Sequence, residues 1–208
     1  MLQTKCMPMP KPKFILASTS KYRAQILKDF GLEFVQMSPK VNEDDLKIKY
    51  KNLTPLELCK SLAQEKAKSL ATEYPDCIVI GSDQLGEFNG RILGKPGSIE
   101  KNVEQLLLLN GKTHDLITSL CVCYKNRIEI ATVVARLTLR QLSEKQIRAY
   151  VSHDMAIDCA GGYKIEQQGI ALMQSIETND FTSIKGLPLL AFNDCLIKLG
   201  VNLLENNS

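Results

Sequence analysis

Asp83 and Lys95 flank one short segment, and their side chains could together serve phosphate chemistry. Asp83 follows the apolar run Cys77-Ile78-Val79-Ile80-Gly81-Ser82, which reads as a buried strand. Its carboxylate is therefore expected at the carboxyl end of that strand, where open α/β sheets collect ligands. The Asn89-Gly90 pair within residues 85–94 is the strongest short signal for a hairpin. At about 3.3 Å of rise per strand residue, the two arms return to one edge of the sheet, which predicts that Lys95 comes back beside Asp83. A carboxylate and an ammonium facing one pocket suit a metal-bound phosphate chain, with Asp83 on the metal or its water and Lys95 on phosphate oxygens. The plainer alternative is a surface ion pair, worth about 0–1 kcal/mol.

A second cluster stands at Ser18-Thr19-Ser20-Lys21-Tyr22-Arg23. It joins hydroxyls and cations at the start of an expected helix, where backbone N–H groups and the helix dipole favour an anion and Lys21 and Arg23 would add charge. A capped helix start with solvated basic residues is the commoner reading of such a turn by itself. Lys66, in Ala63-Gln64-Glu65-Lys66-Ala67, reads from spacing alone as part of a solvated helix face with Glu65 and Lys68. Cys121 and Cys123 share a face of an expected strand, but with only two histidines, His114 and His153, a structural zinc site is not expected.

The elements that must hold these residues follow from the patterning. Residues 13–18 form a short apolar run expected as a buried strand, and Ile26, Leu27 and Phe30 at helical spacing predict a helix closed by Gly31. Residues 33–38 predict a second strand, and the charged stretch 39–52 a mobile loop. Thr54, Pro55 and Glu57 mark a helix start with a capping box; the helix carries Leu58, Leu62 and Leu70 and ends at Pro75-Asp76. Ser98 caps a helix ended by Asn110-Gly111, and residues 113–142 read as a long hairpin turning near Lys125-Asn126. Ser143 with Gln146 caps a helix containing Ile147, Tyr150 and Val151. Residues 158–177 are broken by glycines and read as strand-like, and a closing helix is opened by Pro188 and stopped by Gly200. No repeat or linker divides the chain, so the expected organisation is a loose arm over 1–12, one domain over 13–200 and a tail over 201–208.

Composition narrows the class. The 208 residues are enough for one sizeable core or two lobes sharing one, and 44% hydrophobic with 24% charged residues is ordinary for a globular protein. A net charge of +3 implies no polyanion-binding surface, so no stable nucleic-acid partner is expected, while a small phosphorylated ligand remains compatible. Charges interrupt every apolar run before membrane-span length, and the first residues lack the apolar core of a signal peptide. Seven scattered cysteines without a C-x-x-C pair fit a reducing cytosol.

In order and spacing, Ile15–Leu27 (ILASTSKYRAQIL), Val41-Asn42-Glu43, Leu62–Ala67 (LAQEKA), Ile80–Gln84 (IGSDQ), Ile92–Gly97 (ILGKPG), Asn110–His114 (NGKTH), Cys159–Leu172 (CAGGYKIEQQGIAL) and Ile184–Leu189 (IKGLPL) resemble the Maf family of nucleoside triphosphate pyrophosphatases. An ordered set of motifs from about Phe14 to Leu199 is far more specific than any one of them. Ser82-Asp83-Gln84, and Cys-Ala-Gly with Glu166 downstream, resemble the branch that hydrolyses 7-methyl-GTP; the dTTP and UTP branch usually shows Ala-Asp-Thr and a glutamine at these places.

The resemblance implies an α/β, inosine-triphosphatase-like fold: a mixed central sheet flanked by helices, with two lobes around a cleft. It implies a divalent cation (Mg or Mn), a cytoplasmic location and a homodimer. By position, Asp83 matches the proton acceptor, while Ser18, Arg23, Glu43, Lys66 and Lys95 match phosphate- and metal-handling residues, with Glu43 and Asp83 holding the metal. Tyr22, Gln84 and Glu166 match positions linked to substrate choice, and Lys21 would be a further substrate contact. An aspartate with an ordinary pKa of about 3.9 is a poor base at neutral pH unless a metal acidifies the water, so Asp83 is expected to act as a metal ligand as well.

Three departures stand out. The family's Ser-Pro-x-Arg-Arg is Ser20-Lys21-Tyr22-Arg23-Ala24, its Val-Asp-Glu is Val41-Asn42-Glu43, and its Thr-Gly is Thr118-Ser119. A lost arginine removes a bidentate phosphate contact that Lys21 would replace only as a point charge. Two rivals to a 7-methyl-GTP pyrophosphatase remain on this evidence: a dTTP/UTP pyrophosphatase, and a nucleotide-binding regulator of cell division with little catalysis.

Overall fold

A computed structural model of the protein describes residues 13–205; the arm expected over 1–12 lies outside them. Strands and helices alternate at first: β1 (Phe14–Ala17), α1 (Lys21–Asp29), β2 (Phe34–Met37), α2 (Glu43–Lys49), α3 (Pro55–Ala71), β3 (Ile78–Phe88) and β4 (Arg91–Leu93). Then follow α4 (Ile99–Leu109), β5 (Thr113–Tyr124), β6 (Arg127–Leu139), α5 (Glu144–Asp154), β7 (Met173–Glu177) and α6 (Leu189–Lys198). The strands make one mixed sheet in the order β2-β1-β3-β5-β6-β7, with β4 also paired to β3.

Local chemistry accounts for most boundaries. Thr54 and Glu57 close a reciprocal capping box with Pro55 behind it, and Ser143 and Gln146 do the same for α5. The β3–β4 turn sets Asn89 and Gly90 both at positive φ, as a two-residue hairpin requires, and Lys125 and Asn126 repeat this between β5 and β6. The stretch expected as a mobile loop contains α2 instead. Asn42 caps it through the Asp44 and Asp45 amides and acidic residues fill its first turn, but no residue of it is buried, so no apolar periodicity announces it. Residues 158–172 also depart from the strand-like expectation: they form short 3-10 turns at Ala160–Gly162 and Gln168–Leu172 before β7 begins.

Strand alternation divides the core. Ile15, Ala17, Val79 and Cys121 face α3, whereas Leu16, Ile78, Ile80, Leu120 and Val122 pack with α1 and with Phe192 and Leu196 of α6. Val201 continues that second cluster past the closing helix. The far halves of the long strands meet α4 and α5 in a separate cluster around Leu106, Leu116, Leu137 and Val151. The three long strands β3, β5 and β6 thus run through both lobes.

The sheet itself leaves the opening for a cleft. On one side β3 pairs with β5 from Val79 to Glu87. On its other side β1 covers only Ile78–Ile80, in parallel, and β4 covers only Gly86–Phe88, antiparallel. Residues 81–85 of β3 therefore have a strand on one side only.

Candidate active site

Asp83 lies in the middle of that bare stretch. It is inside an eleven-residue strand rather than at a strand's carboxyl end, because β5 continues to pair with β3 well past Ser82. The strand that ends here is β1, whose last residue, Ala17, leads into the Ser18 turn. Around this point opens a cleft of about 890 Å³, within the size range of ordinary ligand sites.

The partner of Asp83 is Lys66. A Cβ on Gly81 would stand 2.4 Å from the Ala63 carbonyl oxygen and 2.6 Å from the Ala67 amide nitrogen, so only glycine lets α3 lie this close to β3. That approach carries Lys66 into the cleft, where it is 4% exposed. Its Nζ donates to Asp83 Oδ1 at 2.6 Å and to Glu43 Oε1 at 2.9 Å. The solvated-face reading of Lys66 is thereby overturned, and the reason is long-range: the packing is set by a glycine on another element. Burial alone would raise the Glu43 carboxyl, but the Lys66 ammonium outweighs it, with Lys47 and Lys95 adding, and holds it below the usual carboxylate range.

Lys95 does return to the same cleft. It makes no ion pair with Asp83 among the described residues, which corrects the expected side-by-side arrangement. The β3–β4 ladder ends at Gly86 opposite Leu93, so the chain leaves the sheet edge before reaching Lys95.

At the start of α1, Ser20 accepts from the Arg23 amide as an ordinary cap, and the same turn lines the cleft. Arg23 is held in place: its Nε donates to the Gly186 carbonyl at 2.9 Å, and one terminal nitrogen donates to Ser18 Oγ at 3.3 Å. Ser18 is buried, and Gln36 of β2 braces the turn by donating to the Ser18 carbonyl. Ala24, where the family arginine is missing, is 5% exposed and packs in the core cluster with Leu27 and Phe192. Position 24 does not face the cleft in this chain, so its alanine leaves no gap in the cleft's charge.

Gln84 is fixed by its amide nitrogen, which donates among Thr118 Oγ1 and the Ser183 and Ile184 carbonyls at 2.8–3.1 Å. The hydroxyl of Thr118 thus supports the floor of the site, while Ser119, the departing residue beside it, meets Thr132 Oγ1 at 2.9 Å. Tyr22, Lys21 and Glu166 all line the cleft, Glu166 as an exposed side chain of the loop between the two 3-10 turns. Lys21 pairs with Asp158 at 3.9 Å. Asp158, Lys47, Lys164 and Lys185 also line the cleft and were missed from sequence; only the neighbouring Cys-Ala-Gly motif hinted at the first.

The donor set suits a hard divalent cation. Glu43 and Asp83 converge on one Nζ, and each gives a single oxygen to Lys66, leaving one oxygen apiece beside a cleft able to admit phosphate and water. No group of three or more His, Cys, Asp or Glu residues forms a complete protein cage among the described residues. The pair of carboxylates is a number that fits Mg²⁺, which usually takes one or two and completes its shell from water and substrate phosphates. No helix among the described residues is long and apolar enough to cross a membrane.

A mixed α/β sheet with a carboxylate-bearing, cation-lined cleft of this size defines a protein built to hold a small phosphorylated ligand. The family model described as Maf-like protein matches residues 13–199, and the chain belongs to that family. It is 44% identical over 188 residues to the 7-methyl-GTP pyrophosphatase of Bdellovibrio bacteriovorus, covering 90% of this chain and 97% of the relative. It is 45% identical over 197 residues to the enzyme of that name from Syntrophotalea carbinolica (93% and 98% covered). The corresponding values for the one from Pseudomonas aeruginosa are 38% over 194 residues, with 92% and 99% covered. Among solved structures, the Staphylococcus aureus Ham1 protein aligns with a TM-score of 0.38 at 13% identity, over 76% of this chain and 89% of that one, too slight a likeness to carry an argument.

Proposed function

We propose that the protein hydrolyses 7-methyl-GTP to 7-methyl-GMP and pyrophosphate in this cleft. The observation that carries the reading is Lys66, buried between two carboxylates at the bare edge of β3, in a chain whose relatives bear the name 7-methyl-GTP pyrophosphatase. Burying the Lys66–Asp83 pair is costly unless its charges are mutually satisfied, with the more exposed Glu43 completing the set, and a functional site is where such an arrangement is expected.

Water attacks the α-phosphorus, the bond from that phosphorus to the α–β bridging oxygen breaks, and pyrophosphate leaves. Asp83 accepts the water's proton. Glu43 and Asp83 would hold a divalent cation, which would neutralise phosphate charge and acidify the attacking water. Lys66 uses two of its three N–H groups on carboxylates and keeps the third for a phosphate oxygen. Arg23, preset by the Gly186 carbonyl and Ser18, and Lys95 from the opposite arm offset the charge that develops on the phosphates. Lys21, Tyr22, Gln84 and Glu166 bind the nucleotide, with Glu166 accepting hydrogen bonds from the guanine N1–H and amino group. A cytoplasmic, homodimeric enzyme is inferred on the family resemblance alone.

Pyrophosphate release measured over 7-methyl-GTP, GTP, UTP and dTTP, with Mg²⁺ or Mn²⁺ and again with chelator, tests this reading. The highest kcat/KM is expected on 7-methyl-GTP, with activity abolished by chelation. Faster turnover of UTP or dTTP would overturn the substrate, and full activity in chelator would overturn the metal.

A further inference from the structure

We propose that Asp158 is a specificity-determining residue, its carboxylate selecting a purine that carries a positive charge over the neutral parent base. The inference rests on the 7-methyl-GTP reading and adds to it a residue outside the machinery described above.

Asp158 lines the cleft on the loop after α5 and reaches across to α1. Tyr22 Oη donates to its two carboxylate oxygens at 3.3 and 3.4 Å, and Lys21 Nζ lies 3.9 Å from the nearer. A phenol that donates to a carboxylate has a more electron-rich ring, and so a stronger attraction for a cation over its face. That the ring and carboxylate attract a cation is visible in the protein itself. Lys21 Nζ sits 5.2 Å from the Tyr22 ring centroid while also pairing with Asp158. The Lys21 side chain is 76% exposed, so this pair is weakly held and can yield to a better-fitting cation.

The loop is secured tightly enough to keep the carboxylate in place. The Gly97 amide donates to the Ile157 carbonyl at 2.9 Å, just before Asp158. Gly161 and Gly162 both take positive φ, and Tyr163 beyond them meets His114 at 2.7 Å. Methylation at N7 turns guanine into a delocalised cation of the same outline, plus one methyl group. Shape alone separates the two bases poorly, and a fixed negative charge beside an aromatic face separates them by charge.

The test is the ratio of kcat/KM for 7-methyl-GTP to that for GTP in the wild type and in Asp158→Asn. Binding of 7-methyl-GMP against GMP, measured by calorimetry, gives the same comparison without turnover. Asparagine keeps an acceptor for Tyr22 and removes the charge, so a purely structural clasp would leave both ratios unchanged. The expected result is a fall of about fivefold or more in both ratios, and Tyr22→Phe, which unlinks the ring from the carboxylate, should lower them in the same direction. A smaller fall in Asp158→Asn, in a wild type that does prefer the methylated nucleotide, overturns the role of Asp158 and leaves the pyrophosphatase reading standing. A wild type that turns over UTP or dTTP but not 7-methyl-GTP overturns both.

Discussion

The two walls of the cleft are made in opposite ways. On one wall Asp83 and Lys66 sit on a central strand and a long helix, both nearly excluded from solvent, with α3 pressed onto β3 through Gly81. On the other, Asp158 and Glu166 are exposed side chains on a stretch of turns that needs positive φ at Gly161 and Gly162. Regular elements fix charges in a poorly solvated place, where their interactions are strong; an irregular loop presents groups that can differ between relatives without disturbing the core. The difference suggests that bond cleavage belongs to the first wall and choice of base to the second.

The largest effect is expected on the first wall. Asp83→Asn should abolish pyrophosphate release while leaving circular dichroism and melting close to wild type, since Lys66 keeps Glu43 as its counter-charge. Retention of more than about a tenth of wild-type kcat at saturating metal would remove Asp83 from the chemistry.

Gly81→Ala should come next. Its Cβ would meet the backbone of α3, so the helix has to move, at a cost of about 1–3 kcal/mol. A lower Tm should accompany a lower kcat, because Lys66 moves with the helix. A melting temperature equal to wild type would show that the close approach is not needed. Ala24→Arg tests the missing arginine similarly. Since position 24 faces the core, the substitution should destabilise by about 1–3 kcal/mol and give no gain in KM. A lower KM with unchanged Tm would show that an arginine there can swing into the cleft.

The smallest effect on activity belongs to the anchor of the second wall, where the readout is stability. Burial lowers the His114 imidazole from 6.5 to about 4, and its Nε2 meets the Tyr163 hydroxyl. Between those values the unfolded chain binds a proton that the folded chain does not. Stability is therefore full above about pH 6.5 and falls as pH drops towards 4, by on the order of 3 kcal/mol. Melting between pH 4.5 and 7 should show a steeper acid loss in wild type than in His114→Gln, and equal slopes would contradict the buried, neutral histidine.

What could be read in the sequence was local. The capping boxes at Thr54–Glu57 and Ser143–Gln146, the Asn89-Gly90 turn and the long β5–β6 hairpin all depend on residues close in the chain, and all form as expected. The motifs also pointed to the residues that line the cleft. What could not be read depends on distant partners. Lys66 looks like any helix-surface lysine until Gly81 brings α3 down onto β3. Asp83 seems to end a strand because nothing nearby shows that β5 keeps pairing with β3. Helix α2 escapes notice because it buries no residue, and Asp158 because the Lys21–Tyr22 side of its contacts is more than 130 residues away.

The division between bond cleavage and choice of base is tested most directly by one ratio, kcat/KM for 7-methyl-GTP over that for UTP, measured in wild type, Lys95→Ala and Glu166→Ala. The account predicts that Lys95→Ala slows both substrates alike and leaves the ratio within about twofold, since a phosphate contact is common to both. Glu166→Ala should lower the ratio by about tenfold, because uracil lacks the N1–H and amino pair that the carboxylate accepts. Equal losses on both substrates in Glu166→Ala, or a collapse of the ratio in Lys95→Ala, would contradict it.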